Sequence, residues 1–199
     1  MADDAGIIKE TIRDSINNMQ KLIENETIMH SVSVAADAMI RALTNEGRIL
    51  FCGNGGSAAQ AQHFSAELSG KFMVERDPFD AEALHVNTSF LTAVANDYGY
   101  SGVYARLVRA KGRPGDVLVG ITTSGNSPNI VHAFKSAHEI KMYNIGMTGE
   151  EGGDLAALSD ILIAVPSKST PRIQECHLLL GHILCERVEE ACSRKITKK

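Results

Sequence analysis

Residues 48–71, RILFCGNGGSAAQAQHFSAELSGK, leave the chain few ways to fold. A short apolar run (Ile49, Leu50, Phe51, Cys52) meets a glycine-rich turn (Gly53, Asn54, Gly55, Gly56), and Ser57 then opens an alanine-rich segment of high helix propensity. That order predicts strand, tight loop and helix N-terminus, where free backbone N–H groups and the helix dipole attract an anion. The glycines allow close backbone approach to a ligand. Ser57 is suited both to cap the helix and to donate its hydroxyl to a phosphate. The turn matches neither GxxxxGK[ST] nor GxGxxG, which weakens any nucleotide-loop reading. On the helix that follows, His63 and Glu67 stand at i and i+4 and share a face. An imidazole and a carboxylate one turn apart, just past an anion site, suit chemistry on a small phosphorylated molecule.

The rest of the chain alternates helix and strand. Residues 3–24 carry Ile7, Ile8, Ile12, Ile16, Met19, Leu22 and Ile23 at helical spacing, and residues 27–45 place Ile28, Met29, Val32, Val34, Ala35, Met39, Ile40 and Leu43 on a second apolar face. These two helices either cap a sheet or form an oligomer interface. After the central stretch, residues 81–86 read as a strand and 88–95 as a helix. Residues 96–100 (NDYGY) read as a polar and aromatic loop, followed by a helix ending near Lys111. Residues 116–121, 142–147 and 161–165 are apolar in the manner of strands buried on both faces. Between the first of these and a helix at 128–140 lies a second hydroxyl-rich loop, TTSGNSP at 122–128, with more donors than capping requires. It is read as a second phosphate cradle. A final helix covers 171–192. The alternation predicts a parallel, doubly wound α/β sandwich that binds its ligand at the carboxyl ends of the strands.

Composition narrows the partners. A formal net charge of −4 with a pI near 6.0 gives nucleic acid no electrostatic footprint. The basic end (Arg194, Lys195, Lys198, Lys199) reads as a solvated tail. No apolar run of membrane-spanning length and no signal-peptide pattern occurs, so the expected location is the cytoplasm. Cys52, Cys176, Cys185 and Cys192 are widely spaced without a CxxC pair and are expected to be buried thiols. His30, His85, His132, His138 and His177 join no constellation and are assigned structural or surface roles. With 199 residues and no repeat or linker, one domain is expected: N-terminal helices over 1–46, an α/β core over 47–193 and the tail.

CGNGGSAAQAQHFSAEL, ANDYG, GDVLVGITTSGNSPN, GMTGEEGG and RIQECHLLLGHILCE occur in that order between Arg48 and Glu190. Together they resemble the sugar isomerase (SIS) domain family, and within it the bacterial phosphoheptose isomerases. The resemblance implies a three-layer, flavodoxin-like sandwich with a five-stranded parallel sheet, and a homotetramer with active sites at subunit interfaces. It also implies interconversion of D-sedoheptulose 7-phosphate and D-glycero-D-manno-heptose 7-phosphate for lipopolysaccharide or capsule, with one zinc per subunit. By position it puts the catalytic pair on Glu67 and His182 and the metal ligands on His63, Glu67, Gln174 and His182. Substrate contacts fall on Asn54, Gly55, Gly56, Ser57, Glu67, Asn96, Asp97, Thr122, Thr123, Ser124, Ser127 and Gln174.

Three points qualify the transfer. Lys71 stands where relatives often have Arg, which keeps the charge but not the bidentate geometry, and Pro171 replaces an Asp found in some relatives. On one straight helix Gln174 and His182 lie about 12 Å apart, so both reach one ion only across an interface or at a bent helix start. Rival readings on the same fold are a non-catalytic sugar-phosphate sensor, or a partner like the DnaA initiator-associating protein, which lacks counterparts of Glu67 and His182. An isomerase of hexose or pentose phosphates is the third.

Overall fold

A computed structural model describes residues 4–196, with side chains through Ser193. The basic end therefore falls largely outside what is described. The elements are α1 (Asp4–Ile23), α2 (Glu26–Thr44), β1 (Ile49–Gly53), α3 (Gly56–Ser69), β2 (Ala81–Ala83), α4 (Thr88–Tyr98), α5 (Val103–Lys111), β3 (Val117–Ile121), α6 (Pro128–Glu139), β4 (Tyr143–Thr148), β5 (Ile161–Ala164) and α7 (Thr170–Ile196). Short 3-10 turns at Tyr100–Gly102 and Gly153–Ala157 complete the set.

The five strands form one parallel sheet in the order β2-β1-β3-β4-β5. Because successive side chains of a strand point to opposite faces, each strand feeds two cores. Ile49 and Phe51 of β1 and Val117, Val119 and Ile121 of β3 pack with α2, α3 and α7. Leu50, Cys52 and Leu118 face the other way, against α4, α5 and α6. That is the three-layer sandwich expected from the alternating pattern.

Several boundaries move, each for a local reason. β2 stops at Ala83, shorter than the expected 81–86. One more ladder bond (Leu84 N–H to Phe51 O, 2.9 Å) is made before the chain turns to Asn87, whose side chain caps α4 through Phe90 N–H (3.0 Å). α4 continues through Asn96 and Asp97 to Tyr98, so these two residues sit in its last turn and not in a loop. Gly99, at φ +84°, ends it by donating to Ala95 O. At the start of α3, the cap position falls on Gly55 with φ +52°, a conformation glycine adopts without strain, and no side chain caps the helix. Ser57 is therefore one residue inside the helix, buried, and is not its cap.

The two N-terminal helices pack differently. α2 covers the sheet through Ala35, Ala36 and Met39. α1 rests on α7, where Arg172 donates to Thr11 O (2.7 Å) and the buried Asn18 donates to Arg172 O (3.4 Å). Its Ile7, Ile8, Ile12 and Ile16 are each 54–59 % exposed. All four cysteines are buried free thiols, and burial pushes the Cys52 and Cys185 thiols up, the latter to about 12.

α3 and α7 approach closely where Gly181 faces the Phe64 ring; a methyl group at Gly181 would overlap that ring. Gly181→Ala should therefore cost about 1–3 kcal/mol through overpacking. Urea unfolding measures it, and an unchanged midpoint would show that the two helices have slack between them.

Candidate active site

The close approach at Gly181 carries the neighbouring residue, His182, against α3. His63 Nε2 lies 2.7 Å from His182 Nε2 and 3.3 Å from Glu67 Oε1. A 2.7 Å contact between two ring nitrogens needs a proton on one and a lone pair on the other. The imidazoles meet edge to face (centroids 5.0 Å, 75°), and Phe72 stacks on the outer side of His182 (5.7 Å, 23°). One donor atom from each of His63, Glu67 and His182 falls within 4.8 Å of the others. Two imidazoles and a carboxylate, all half-buried, are a donor set that suits zinc with a coordination position left open.

Gln174 is placed elsewhere. α7 is one continuous helix, and two turns before His182 the Gln174 side chain stands over the glycine loop, so close that a methyl group at Gly56 would meet its Nε2 at 2.7 Å. Gln60 of α3 holds that first turn of α7 by donating to Gln174 O (2.6 Å). Within one chain, then, Gln174 belongs to the glycine loop and His182 to the cluster with His63 and Glu67.

The two expected cradles lie side by side because β1 and β3 are neighbours in the sheet. In the first, Asn54, Gly55 and Gly56 lead into α3, and Asn54 O accepts from Ser57 N–H (3.0 Å). In the second, Thr122 Oγ1 pairs with Ser127 Oγ (2.9 Å), Ser124 Oγ accepts from Asn126 N–H (3.2 Å), and Pro128 opens α6. Thr123 and Ser124 also line a cleft of about 230 Å³ with Asn126, Ser167, Lys168 and Ile173. Asn96 and Asp97 are exposed on α4 and bond to each other (2.9 Å).

Two features were missed in the sequence. The first is a buried ion pair. Glu189 of α7 accepts from Phe72, Met73 and Val74 N–H (3.1, 2.7 and 3.2 Å) and from Arg76 Nε (2.9 Å). Arg76 in turn donates to Glu67 O (2.8 Å) and stacks over Phe79 (4.0 Å). Both side chains of the pair are only 2 % exposed. Glu189 shares the buried face of α7 with Cys185, Val188 and Cys192, and a carboxylate on such a stripe was the available signal. The second is Asn129, which locks Asn54 through two amide–amide hydrogen bonds (2.9 and 2.8 Å). His177 does serve structure, as expected: it is fully buried against Thr148 O (3.1 Å), and burial pushes it down to about 4 against that bond.

A sequence model of the SIS domain matches residues 12–149. The chain belongs to the SIS family. Curated SIS relatives include a phosphoheptose isomerase of Helicobacter pylori strain P12, 44% identical over 187 residues, which cover 94% of this chain and 93% of that protein. Among solved SIS structures, phosphoheptose isomerase from Neisseria gonorrhoeae superposes with a TM-score of 0.88 at 44% identity, covering 94% of this chain and 98% of that one. The phosphoheptose isomerase from Francisella tularensis gives 0.90 at 38% identity, with the same coverage.

Burial raises the cost of ionising Glu189, but three backbone N–H groups and Arg76 outweigh it and hold its carboxyl below the ordinary 4.5. A depressed folded-state value adds stability that is complete above the ordinary value and lost as pH falls through the folded one. Glu189→Ala, which strands Arg76, should cost about 3–5 kcal/mol at neutral pH. In urea titrations the deficit of Glu189→Gln relative to wild type should narrow as pH drops below 4.5. A deficit that widened on acidification would contradict the assignment.

Proposed function

We propose that this chain is an aldose–ketose isomerase interconverting D-sedoheptulose 7-phosphate and D-glycero-D-manno-heptose 7-phosphate in bacterial heptose biosynthesis. The observation that carries the reading is the His63–Glu67–His182 cluster beside two ligand-cradling loops, in a chain so similar along its length to phosphoheptose isomerases. The presence of both Glu67 and His182 in that cluster argues against a non-catalytic sensor or assembly partner.

The chemistry follows from the residues. The hydroxyls of Thr122, Thr123, Ser124 and Ser127, with the N-terminus of α6, hold the phosphate. Asn54, Gly55, Gly56, Ser57 and Gln174 meet the sugar from the glycine loop, and Asn96 and Asp97 supply further hydroxyl contacts. Glu67 removes a proton from C1 of the ketose while His182 protonates the C2 carbonyl oxygen, which gives an enediol. Glu67 then gives a proton to C2, while His182, which lost its proton in the first step, takes the one from the C1 hydroxyl; this leaves the aldehyde and restores both residues. Phe72 screens His182 from water on one side. The donor set of His63, Glu67 and His182 fits zinc, and Gln174 of a second subunit would complete it. When bound, the ion would polarise the substrate oxygens.

Assembly into a homotetramer with sites at the interfaces is part of the same reading. Two exposed apolar faces support it: the isoleucine stripe of α1, and Leu178, Leu179 and Ile183 around His182 on α7. No described helix is long and apolar enough to cross a membrane, and a cytoplasmic location is proposed with the activity.

Glu67→Gln and His182→Gln should each lower kcat on sedoheptulose 7-phosphate by about 10²–10⁴ while the variants stay folded. Near-wild-type turnover by Glu67→Gln would remove it as the base. Chelator-treated protein should lose turnover and melt earlier, with both restored by zinc. If neither changes, the metal has no part in the site.

A further inference from the structure

We propose that Asn129 is a positioning residue that fixes which way round the Asn54 amide faces, and so makes this corner of the glycine loop a hydrogen-bond donor to the ligand. The inference rests on the reading that the loop contacts a sugar phosphate.

A backbone group that can only donate sets the orientation of the pair. Ile130 N–H, shared with Ser127 O (3.0 Å), also reaches Asn129 Oδ1 (3.1 Å); a reversed Asn129 amide would turn its own N–H against that donor, so this end of the amide is oxygen. Asn129 is 2 % exposed at the second position of α6 and has no room to exchange partners with water. The same Oδ1 accepts from Asn54 Nδ2 (2.9 Å), and Asn129 Nδ2 donates to Asn54 Oδ1 (2.8 Å). Tyr100 OH donates to Asn54 Oδ1 as well (3.2 Å). Reversing the Asn54 amide would set oxygen against oxygen and N–H against N–H across the pair. Its orientation is therefore imposed from α6.

The count of donors then has a chemical consequence. A side-chain amide offers two lone-pair positions and two N–H groups. In Asn54 both lone-pair positions are taken, by Asn129 and Tyr100, and one N–H goes to Asn129. Among the described residues, the polar position of Asn54 left without a partner is an N–H. The ligand group suited to it is an oxygen acceptor, such as a phosphate or carbonyl oxygen. Tyr104 OH fixes the preceding peptide by donating to Gly53 O (2.5 Å), so the loop cannot easily rotate to offer something else. Asn54 and Asn129 thus join the glycine loop to the helix that follows the second cradle, across 75 residues of sequence.

A plain staple between two loops would show the same bonds, so the test separates orientation from stability. Asn54→Ala, Asn129→Ala and the double variant form a cycle. Each is characterised by the dissociation constant for sedoheptulose 7-phosphate, by kcat and KM, and by the urea midpoint. Loss of one hydrogen bond to an anionic ligand predicts about tenfold weaker binding for Asn129→Ala, with kcat changed less than about threefold. In the Asn54→Ala background the second substitution should add no further loss of binding, because Asn129 acts through Asn54. Binding losses that multiply in the double variant, or an Asn129→Ala protein that is less stable yet binds normally, would overturn the proposal. Wild type that binds the sugar phosphate without turning it over would sink the isomerase reading alone, since the cycle is read in binding constants. Wild type that does not bind it would overturn both.

Discussion

The site depends on one contact between helices. α3 and α7 follow strands three positions apart in the sheet, yet they meet where Gly181 admits the Phe64 ring. That approach puts His182 2.7 Å from His63, and His63 already shares a helix face with Glu67. A bulkier residue at position 181 would separate the two imidazoles, whatever their chemistry. The segment after α3 is then clamped beside the cluster by Glu189, which binds three successive backbone N–H groups and Arg76. A buried ion pair of this kind adds little net stability, but it fixes geometry strongly because neither partner can be left alone. Here the geometry it fixes is that of Phe72 on His182 and of Arg76 on the Glu67 carbonyl.

The sheet supplies the second constraint. Parallel strands send all their carboxyl ends to one edge, and the loops after β1 and β3 fall side by side there. Both loops are rich in groups that bind oxygen anions, while the cluster of His63, Glu67 and His182 stands farther along α3. In the proposed reading, a phosphorylated substrate held at the loops presents its other end toward the cluster. Distance along α7 enforces the same division: Gln174 reaches the glycine loop, and His182, two turns on, reaches His63.

Much of this was legible in the sequence because it is periodic or local. The strand–glycine–helix order at residues 48–71, the buried strands at 117–121 and 143–148, and the pairing of His63 with Glu67 all follow from spacing. The errors have local causes. Asn96 and Asp97 look like loop residues by type, but α4 runs on to the first glycine, Gly99. Ser57 looks like a helix cap, but the left-handed Gly55 starts the turn earlier. The contacts that went unseen are long-range and polar: Glu189 with Arg76, and Asn129 with Asn54. Nothing in the spacing of residues 113 or 75 apart announces a bond between them.

The most direct test of the central claim, proton transfer by a Glu67–His182 pair on a seven-carbon sugar phosphate, is incubation of the wild-type protein with sedoheptulose 7-phosphate in D2O, followed by NMR to equilibrium. The account predicts that the heptose aldose appears and that, over repeated passages through the enediol, deuterium from solvent accumulates at its C2. Folded protein that yields no aldose, or aldose that keeps only its original hydrogen at equilibrium, would contradict it.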